Sequence, residues 1–214
     1  GYPAMQKAMR EMVLNRLTSV QRIEVANNRM ADQDVLNTVI HGDIEKLRQT
    51  GDTISKDAFH AAVKAILEAK RIYILGMRST APLANFMGYY LNYMFNNVNV
   101  ISGFSADEMF EKIVGITSED VVVAFSFPRY SSSTIKGASY CRSTGAAVIG
   151  ITDSAQSPLA KCCDHVLLAK SDMVSLVDSL VAPLSVVNAL IVAIAAKREK
   201  ELARTFDTLE RIWD

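Results

Sequence analysis

Cysteine, proline and glycine are all scarce in this sequence, with three, five and ten residues among 214. Few glycines and prolines indicate many helices and few long loops, because these two residue types dominate turns. The cysteines are Cys141, Cys162 and Cys163, which form neither a disulfide framework nor a zinc-ligand pattern. This cysteine usage is typical of a reducing compartment, so we expect a cytoplasmic protein without a metal site.

An excess of either charge is also missing, because 23 basic residues balance 23 acidic ones. A balanced chain is not built chiefly to coat nucleic acid or an anionic membrane. Half of the residues are hydrophobic, which excludes global disorder and is enough for a full core in one domain. The opening Gly1-Tyr2-Pro3 resembles no signal peptide and lacks an initiator methionine, so we expect a fragment of a longer protein.

One long stretch lacks charge altogether. Residues 179–196 are 18 consecutive uncharged residues, and this length reaches the lower limit for a transmembrane helix. Pro183, Ser185 and Asn188 interrupt its apolar character. We therefore predict a helix buried in a core or a subunit interface, and no membrane partner.

The first 50 residues show helical periodicity and no strand pattern. Met5, Met9, Met12 and Val13 recur at helical spacing, and a second apolar series runs from Val35 to Leu47. Two helices this short cannot form their own core, so they must pack on the main domain, on a second copy or on a missing neighbour. We predict that Gly51-Asp52-Thr53 breaks the helical pattern, so that the second helix ends by residue 50.

The rest of the chain alternates between short apolar runs and helical patterns. We predict strands at 71–76, 98–101, 120–126, 147–152 and 164–170. Helices are predicted at 55–70, 79–95, 105–113, 131–145, 157–163 and 175–200, with an amphipathic tail to Trp213. Ser55 and Ser105 stand at N-cap positions. This alternation predicts a doubly wound α/β domain with a five-stranded parallel sheet and helices on both faces.

Hydroxyl-rich turns follow the first and third predicted strands. The first reads Gly76-Met-Arg-Ser-Thr80, and the third runs from Ser126 to Thr134. Ligands of such sheets lie beyond the carboxyl ends of the strands, where free helix amides and hydroxyls suit an anion. Arg78 and Arg129 add positive charge there, although each serine alone is more often a helix cap. Neither a dinucleotide fingerprint nor a P-loop is present, so we expect no cofactor.

Other reactive candidates are isolated. His41, His60 and His165 lie far apart on or beside apolar segments, which favours packing roles, and inert burial is the default for the cysteines. Glu108 begins the helix after the second strand, on the ligand side, where it can serve as a general base. A helix-capping role explains Glu108 equally well.

Three segments resemble the sugar isomerase (SIS) domain: IYILGMRST, VVVAFSFPRYSSSTI and GAAVIGITDSAQSPLAKCCDHVLLA. The similarity covers roughly residues 55–200. The motifs FPRYSSSTI and GAAVIGITDS are similar to the SIS domains of RpiR/MurR-type bacterial transcriptional regulators. The segment from Gly1 to Glu24 looks like the end of that family's helix-turn-helix domain and its linker. The resemblance implies that the DNA-reading helices lie upstream of Gly1.

The resemblance also implies which residues hold a ligand. A phosphorylated sugar would contact Ser79, Ser126 and Ser131, with Thr80 and Ser132 adjacent. The chemistry of the turns adds Arg78 and Arg129, which can complement the anion. The usual third-strand loop of the family reads Ser-x-Ser-Gly-x-Thr. Here Pro128 replaces the second serine, Arg129 replaces the glycine, and Ser131 replaces the threonine.

Three functions remain open from the sequence. The first is a phosphosugar-sensing domain that acts as a homodimer or tetramer and contacts DNA only through the absent domain. The second is an aldose–ketose phosphosugar isomerase that uses Glu108, with His60 contributed across an interface. The third is an oligomerisation module without a ligand. We expect a helical extension at 1–50, the sugar-phosphate domain at 51–200, and a helical tail at 201–214.

Overall fold

The computed structural model describes residues 34–103, 105–172 and 177–213, together with three isolated helical residues at 20, 21 and 24. The methionine-rich helix predicted over residues 5–13 lies outside the described residues. The second predicted helix is present and runs beyond its predicted end.

Five strands and seven α-helices make up the described part. The strands are β1 (Ile72–Met77), β2 (Val98–Gly103), β3 (Val121–Phe125), β4 (Ala147–Thr152) and β5 (His165–Leu168). The helices are α1 (Val35–Thr53), α2 (Lys56–Glu68), α3 (Ala81–Leu91), α4 (Ala106–Ile113), α5 (Ser132–Ser143), α6 (Val181–Lys197) and α7 (Glu199–Trp213). Short 3-10 turns lie at Arg78–Thr80 and Ala160–Cys162.

The strands form one parallel sheet in the order β2-β1-β3-β4-β5. β1 and β3 are neighbours, with Ile72 opposite Val121 and Gly76 opposite Phe125. Between β1 and β3 the chain leaves to form the edge strand β2, so the strand order reverses at this pair. The predicted five-stranded, doubly wound parallel sheet is confirmed, and the reversal point lies where β1 and β3 end.

Helices cover both faces of the sheet because successive strand residues point to opposite sides. Ile72 and Ile74 face a core shared with α2, α3 and α6. Tyr73 and Leu75 face a second core shared with α4 and α5. All residues of β1 and β3 are buried, which explains their continuous apolar sequence.

Serine caps begin several of these helices. Ser55 Oγ accepts a hydrogen bond from Ala58 N at 3.1 Å, and Ser105 Oγ accepts one from Glu108 N at 3.3 Å. The predicted N-caps at these two serines are confirmed.

The predictions for three helices are partly wrong. Helix α1 continues through Gly51 to Thr53, because the helix packs on the domain and tolerates a glycine near its end. The predicted helix 175–200 begins only at Val181, which puts Pro183 in the first turn, where proline is acceptable. The same predicted helix ends before Arg198, and α7 starts as a separate helix at Glu199. The helix predicted at 157–163 is only the 3-10 turn Ala160–Cys162.

Helix α6 packs on α1, α2 and α3, and its buried residues Val187, Leu190 and Ile194 join the core on that face of the sheet. Within the described ranges, no single helix is long and apolar enough to cross a membrane. Taken together, α6 and α7 have the length and composition of a membrane-spanning segment. The two helices are, however, bent by 93° relative to each other.

An ion pair with a buried carboxylate fixes the starts of β1 and β3 relative to each other. Arg71 Nε and Nη2 lie 2.9 and 2.7 Å from the two carboxylate oxygens of Asp120. Thr117 donates its backbone N–H and its hydroxyl to Asp120 Oδ2 at 2.7 and 3.0 Å. Burial alone would raise the pKa of Asp120, but the hydrogen bonds from Arg71 and Thr117 outweigh it and hold this pKa below its ordinary value.

Asp120→Asn is predicted to destabilise the fold by about 2–3 kcal/mol, because charge-assisted hydrogen bonds at a buried carboxylate are lost. The neighbouring substitution Glu119→Gln is the matched control. Its ion pair with Lys70 is exposed on both sides, so its loss is expected to cost less than about 1 kcal/mol. Urea unfolding at pH 7 measures both.

The same pair predicts a pH dependence. Because the folded-state pKa of Asp120 is depressed, its contribution is complete above the unfolded-state value of about 3.9 and is lost as pH falls through the lower folded value. The wild type should therefore lose more unfolding free energy than Asp120→Asn between pH 5 and pH 3. Equal losses in the two proteins would contradict this assignment.

Candidate functional site

The turns after β1 and β3 meet in one small cavity of about 50 Å³. Six of the seven predicted ligand residues line it: Arg78, Ser79, Thr80, Ser126, Arg129 and Ser131. Met77, Phe125, Phe127 and Pro128 complete its lining. Ser132, the seventh, is the exposed first residue of α5 and does not line the cavity. The structure thus brings together the two hydroxyl-rich turns that the sequence singled out.

The first turn passes from β1 into α3 without a long loop. A side chain at Gly76 would place its Cβ 2.6 Å from Ala84 Cβ and 2.7 Å from Thr80 O, so glycine is required for this close approach. Thr80 is buried, and its hydroxyl donates to Met77 O at 2.9 Å. Ser79 and Arg78 are exposed at the cavity. Thr80 therefore uses its proton to hold the turn, while Ser79 faces solvent.

The second turn contributes a buried hydroxyl without a protein partner. Ser126 is 2% exposed, and within the described ranges its Oγ has no hydrogen-bond partner. Its backbone is held firmly, because its N–H donates to Ile151 O at 3.3 Å and its carbonyl accepts from Thr152 Oγ1 at 2.7 Å. A buried hydroxyl without a partner costs about 1–3 kcal/mol, so this group is suited to a ligand that supplies the bond.

Ser131 has a second role besides lining the cavity. It is the N-cap of α5, and its Oγ accepts a hydrogen bond from Thr134 N at 3.3 Å. Sequence reasoning did not select Thr134, whose own hydroxyl is buried and has no partner in the described part of the chain. Thr134 does not line the cavity, so we assign it no contact there.

Both cavity arginines have a left-handed backbone. The φ angles of Arg78 and Arg129 are 58° and 68°, and they are the only described residues other than glycine with positive φ. Such a conformation favours glycine and costs an arginine of order 1 kcal/mol. Arg129 stands where the related loop pattern has glycine, so the backbone geometry explains that glycine. Both strained residues lie two positions before the N-cap of the following helix, and both line the same cavity.

A pair of residues that the sequence did not indicate holds the second turn in place. Tyr130 OH lies 3.1 and 3.2 Å from the two carboxylate oxygens of Asp153, which follows β4. Burial raises the pKa of both groups, and the charge of Asp153 raises that of Tyr130 further. This contact anchors the turn between Arg129 and Ser131 to the next strand. The sequence carries no local signal for this contact, because the two residues are 23 positions apart.

Asp153 also borders a second, larger cavity at the ends of β4 and β5. This cavity has a volume of about 200 Å³ and is lined by Thr53, Asp153, Ser154, Ala155, Gln156, Leu168, Ala169 and Lys170. It places polar side chains next to the first cavity, on the same edge of the sheet.

The other reactive candidates lie elsewhere. Glu108 forms an ion pair with Lys112 at 3.0 Å on α4 and does not line the small cavity. His60 borders an apolar groove of about 370 Å³ between α1, α2 and α6. Burial raises the pKa of Cys141 and of Cys163 to about 12, which keeps both thiols protonated at neutral pH.

Comparison with known proteins agrees with this architecture. Residues 65–193 match the SIS domain family. An uncharacterized HTH-type transcriptional regulator from Haemophilus influenzae is 24% identical over 166 residues, which cover 68% of this chain and 55% of the regulator. The chain therefore spans about half the length of this relative.

Two solved structures have the same fold. The sugar isomerase domain of an RpiR transcription factor from Sphaerobacter thermophilus matches with a TM-score of 0.79 and 29% identity, covering 84% of this chain and 99% of that domain. NanR from Vibrio vulnificus, solved in complex with ManNAc-6P, matches with a TM-score of 0.74 and 15% identity, covering 91% of this chain and 76% of NanR. At that identity NanR shows the fold alone.

The predicted resemblance to the SIS domains of RpiR-type regulators is confirmed by these matches. Because the family match extends over residues 65–193 of 214, the chain belongs to the SIS domain family.

Proposed function

We propose that this chain is the phosphosugar-sensing domain of an RpiR-type transcriptional regulator. The ligand's phosphate binds in the small cavity between the turns after β1 and β3. The observation that carries this proposal is the buried hydroxyl of Ser126. It lines the cavity and has no hydrogen-bond partner among the described residues. The similar HTH-type regulator and RpiR domain support the regulatory setting, and NanR was solved with a phosphorylated sugar.

The composition of the cavity fits a phosphate better than a neutral group. It offers hydroxyls from Ser79 and Ser126 and cationic side chains from Arg78 and Arg129. Hydroxyls donate to phosphate oxygens without adding charge, and guanidinium groups pair with them in bidentate fashion. A cavity of about 50 Å³ is too small for a whole sugar phosphate, so the sugar must extend outward from the phosphate.

We propose binding without catalysis. An isomerase needs a base next to the reacting carbons. Glu108, the candidate from the sequence, is half-exposed, pairs with Lys112 and lies outside the lining of the cavity. No described residue at the cavity is a carboxylate or a histidine. These features support a sensor over an isomerase.

We also propose that α1 carries the response toward a DNA-binding domain. Helix α1 would belong largely to the N-terminal extension, which we place at residues 1–50, and the helix itself continues to Thr53. The SIS domain would then reach residue 200, and 201–214 would form the helical tail. By linkage, the ligand must bind two arrangements of this assembly with different affinities.

Calorimetric titration tests the ligand class. Sugar 6-phosphates and pentose 5-phosphates are titrated beside the same sugars without phosphate. At least one phosphorylated sugar should bind, and Ser126→Ala should weaken it about tenfold or more, because a hydrogen bond to a charged group is lost.

Ser143→Ala is the matched control, since Ser143 is exposed at the far end of α5. It should leave the dissociation constant unchanged. Equal binding of phosphorylated and unphosphorylated sugars, or no binding by a folded protein at millimolar concentration, would contradict the proposal.

The exposed side of α1 supports a homodimer or tetramer. Its large apolar side chains are exposed by 36–68%: Val35, Leu36, Ile40, Ile44 and Leu47. Leu36, Ile40, Ile44 and Leu47 recur every three or four residues, so they form one stripe. An apolar stripe of this length is typical of an interaction surface, and a second copy would cover it.

Light scattering coupled to gel filtration tests this self-association. The wild type should have at least twice the chain mass of 23.5 kDa at micromolar concentration. Ile44→Glu should lower that mass, because a charge would be buried at the interface. A wild-type mass of one chain would contradict the proposed dimer.

A further inference from the structure

Arg129 connects the small cavity to a segment outside it. Its side chain lines the cavity, and its Nη2 lies 3.7 Å from Asp178 Oδ2. The Arg129 side chain is 47% exposed, whereas that of Asp178 is 9% exposed. Asp178 precedes α6 by three residues. A nearly buried carboxylate therefore faces the guanidinium group that would meet an incoming anion.

The next residue along the chain contacts α1. Ser179 Oγ donates to Asp43 Oδ1 at 2.6 Å, and Ser171 Oγ donates to Ser179 O at 2.8 Å. Asp43 also pairs with Lys46 at 3.5 Å, and Lys46 is only 6% exposed. Asp178 and Ser179 thus join the cavity arginine to a largely buried polar cluster on α1.

A phosphate competes well for Arg129. It carries about two negative charges at neutral pH and presents several acceptor oxygens, whereas Asp178 carries at most one charge. The Arg129–Asp178 contact is long for an ion pair at 3.7 Å, and about half of the Arg129 side chain is exposed to water. A guanidinium group that turns toward a bound phosphate would leave Asp178 nearly buried and without this partner.

We propose that Arg129 exchanges Asp178 for the anionic group of the ligand, and that this exchange alters the Ser179–Asp43 contact and so the docking of α1. The inference rests on the proposed phosphate site and adds the route by which that site reaches the N-terminal helix. Asp178 is a positioning residue here, because it acts on the ligand through Arg129.

Thermodynamic linkage determines whether each substitution tightens or weakens phosphate binding. If the ligand breaks the ion pair, then removing the pair from the Asp178 side must favour the ligand. Asp178→Asn should tighten the binding of inorganic phosphate at least about fivefold, the lower end of typical couplings. Arg129→Gln breaks the same pair but removes a ligand contact, so it should weaken phosphate binding. Both variants should place α1 in the altered arrangement without any ligand.

Hydrogen exchange of the full chain, with inorganic phosphate as the probe, tests the route. In the wild type, phosphate should change the exchange rates of amides in residues 35–53. Asp178→Asn and Arg129→Gln should show the changed rates without phosphate and respond no further. Ser179→Ala already lacks the contact to Asp43, so phosphate should still bind while α1 exchange changes no further.

Asp172→Asn is the charge-matched control, since Asp172 is exposed and lies on the same connection between β5 and α6. It should leave binding and exchange unchanged. If phosphate binds to the wild type and α1 exchange stays constant, the route is wrong and the phosphate site stands. If phosphate binds neither the wild type nor Asp178→Asn, the site and the route both fail.

If Asp178→Asn does not fold, the Arg129→Gln and Ser179→Ala arms decide. Altered α1 exchange in unliganded Arg129→Gln, with loss of the phosphate response in Ser179→Ala, would support the route. Unaltered α1 exchange in Arg129→Gln would overturn it.

Discussion

The parallel pairing of β1 with β3 is the constraint on which the site depends. The two strands are buried throughout and run in register from Ile72 and Val121 to Gly76 and Phe125. Their turns therefore emerge side by side at the point where the strand order reverses. The Arg71–Asp120 ion pair fixes the opposite ends of the same strands. Without this register, Ser79 and Ser126 would not share a cavity.

The turns themselves are less relaxed than the strands. Two arginines hold a backbone conformation that favours glycine, and a buried serine hydroxyl has no partner among the described residues. Each feature costs stability in the free protein, and an anion in the cavity would offset part of that cost. The Tyr130–Asp153 contact keeps this strained turn attached to β4. The stable sheet thus supports a cavity that is suited to an anion. The Arg129–Asp178 ion pair connects this cavity to the segment that contacts α1.

Local patterns were sufficient to predict the five strands, the caps at Ser55 and Ser105, and the two turns that form the cavity. Each depends on residues close in sequence, because apolar runs, cap positions and strand ends are local features. Long-range contacts were missed: Tyr130 with Asp153, and Arg129 with Asp178. The ends of α1 and α6 were also misplaced, since packing on the domain and the position of Pro183 decide them. The ligand roles of the seven predicted residues stay predictions.

The most direct measurement is a crystal structure of the protein with the phosphorylated sugar that binds most tightly in calorimetry. The phosphate should lie between the turns after β1 and β3, with Ser126 Oγ donating to one of its oxygens and the Arg129 guanidinium turned away from Asp178. A phosphate bound elsewhere, for example in the cavity between Asp153 and Lys170, with the Ser126 hydroxyl still unpartnered, would contradict the account.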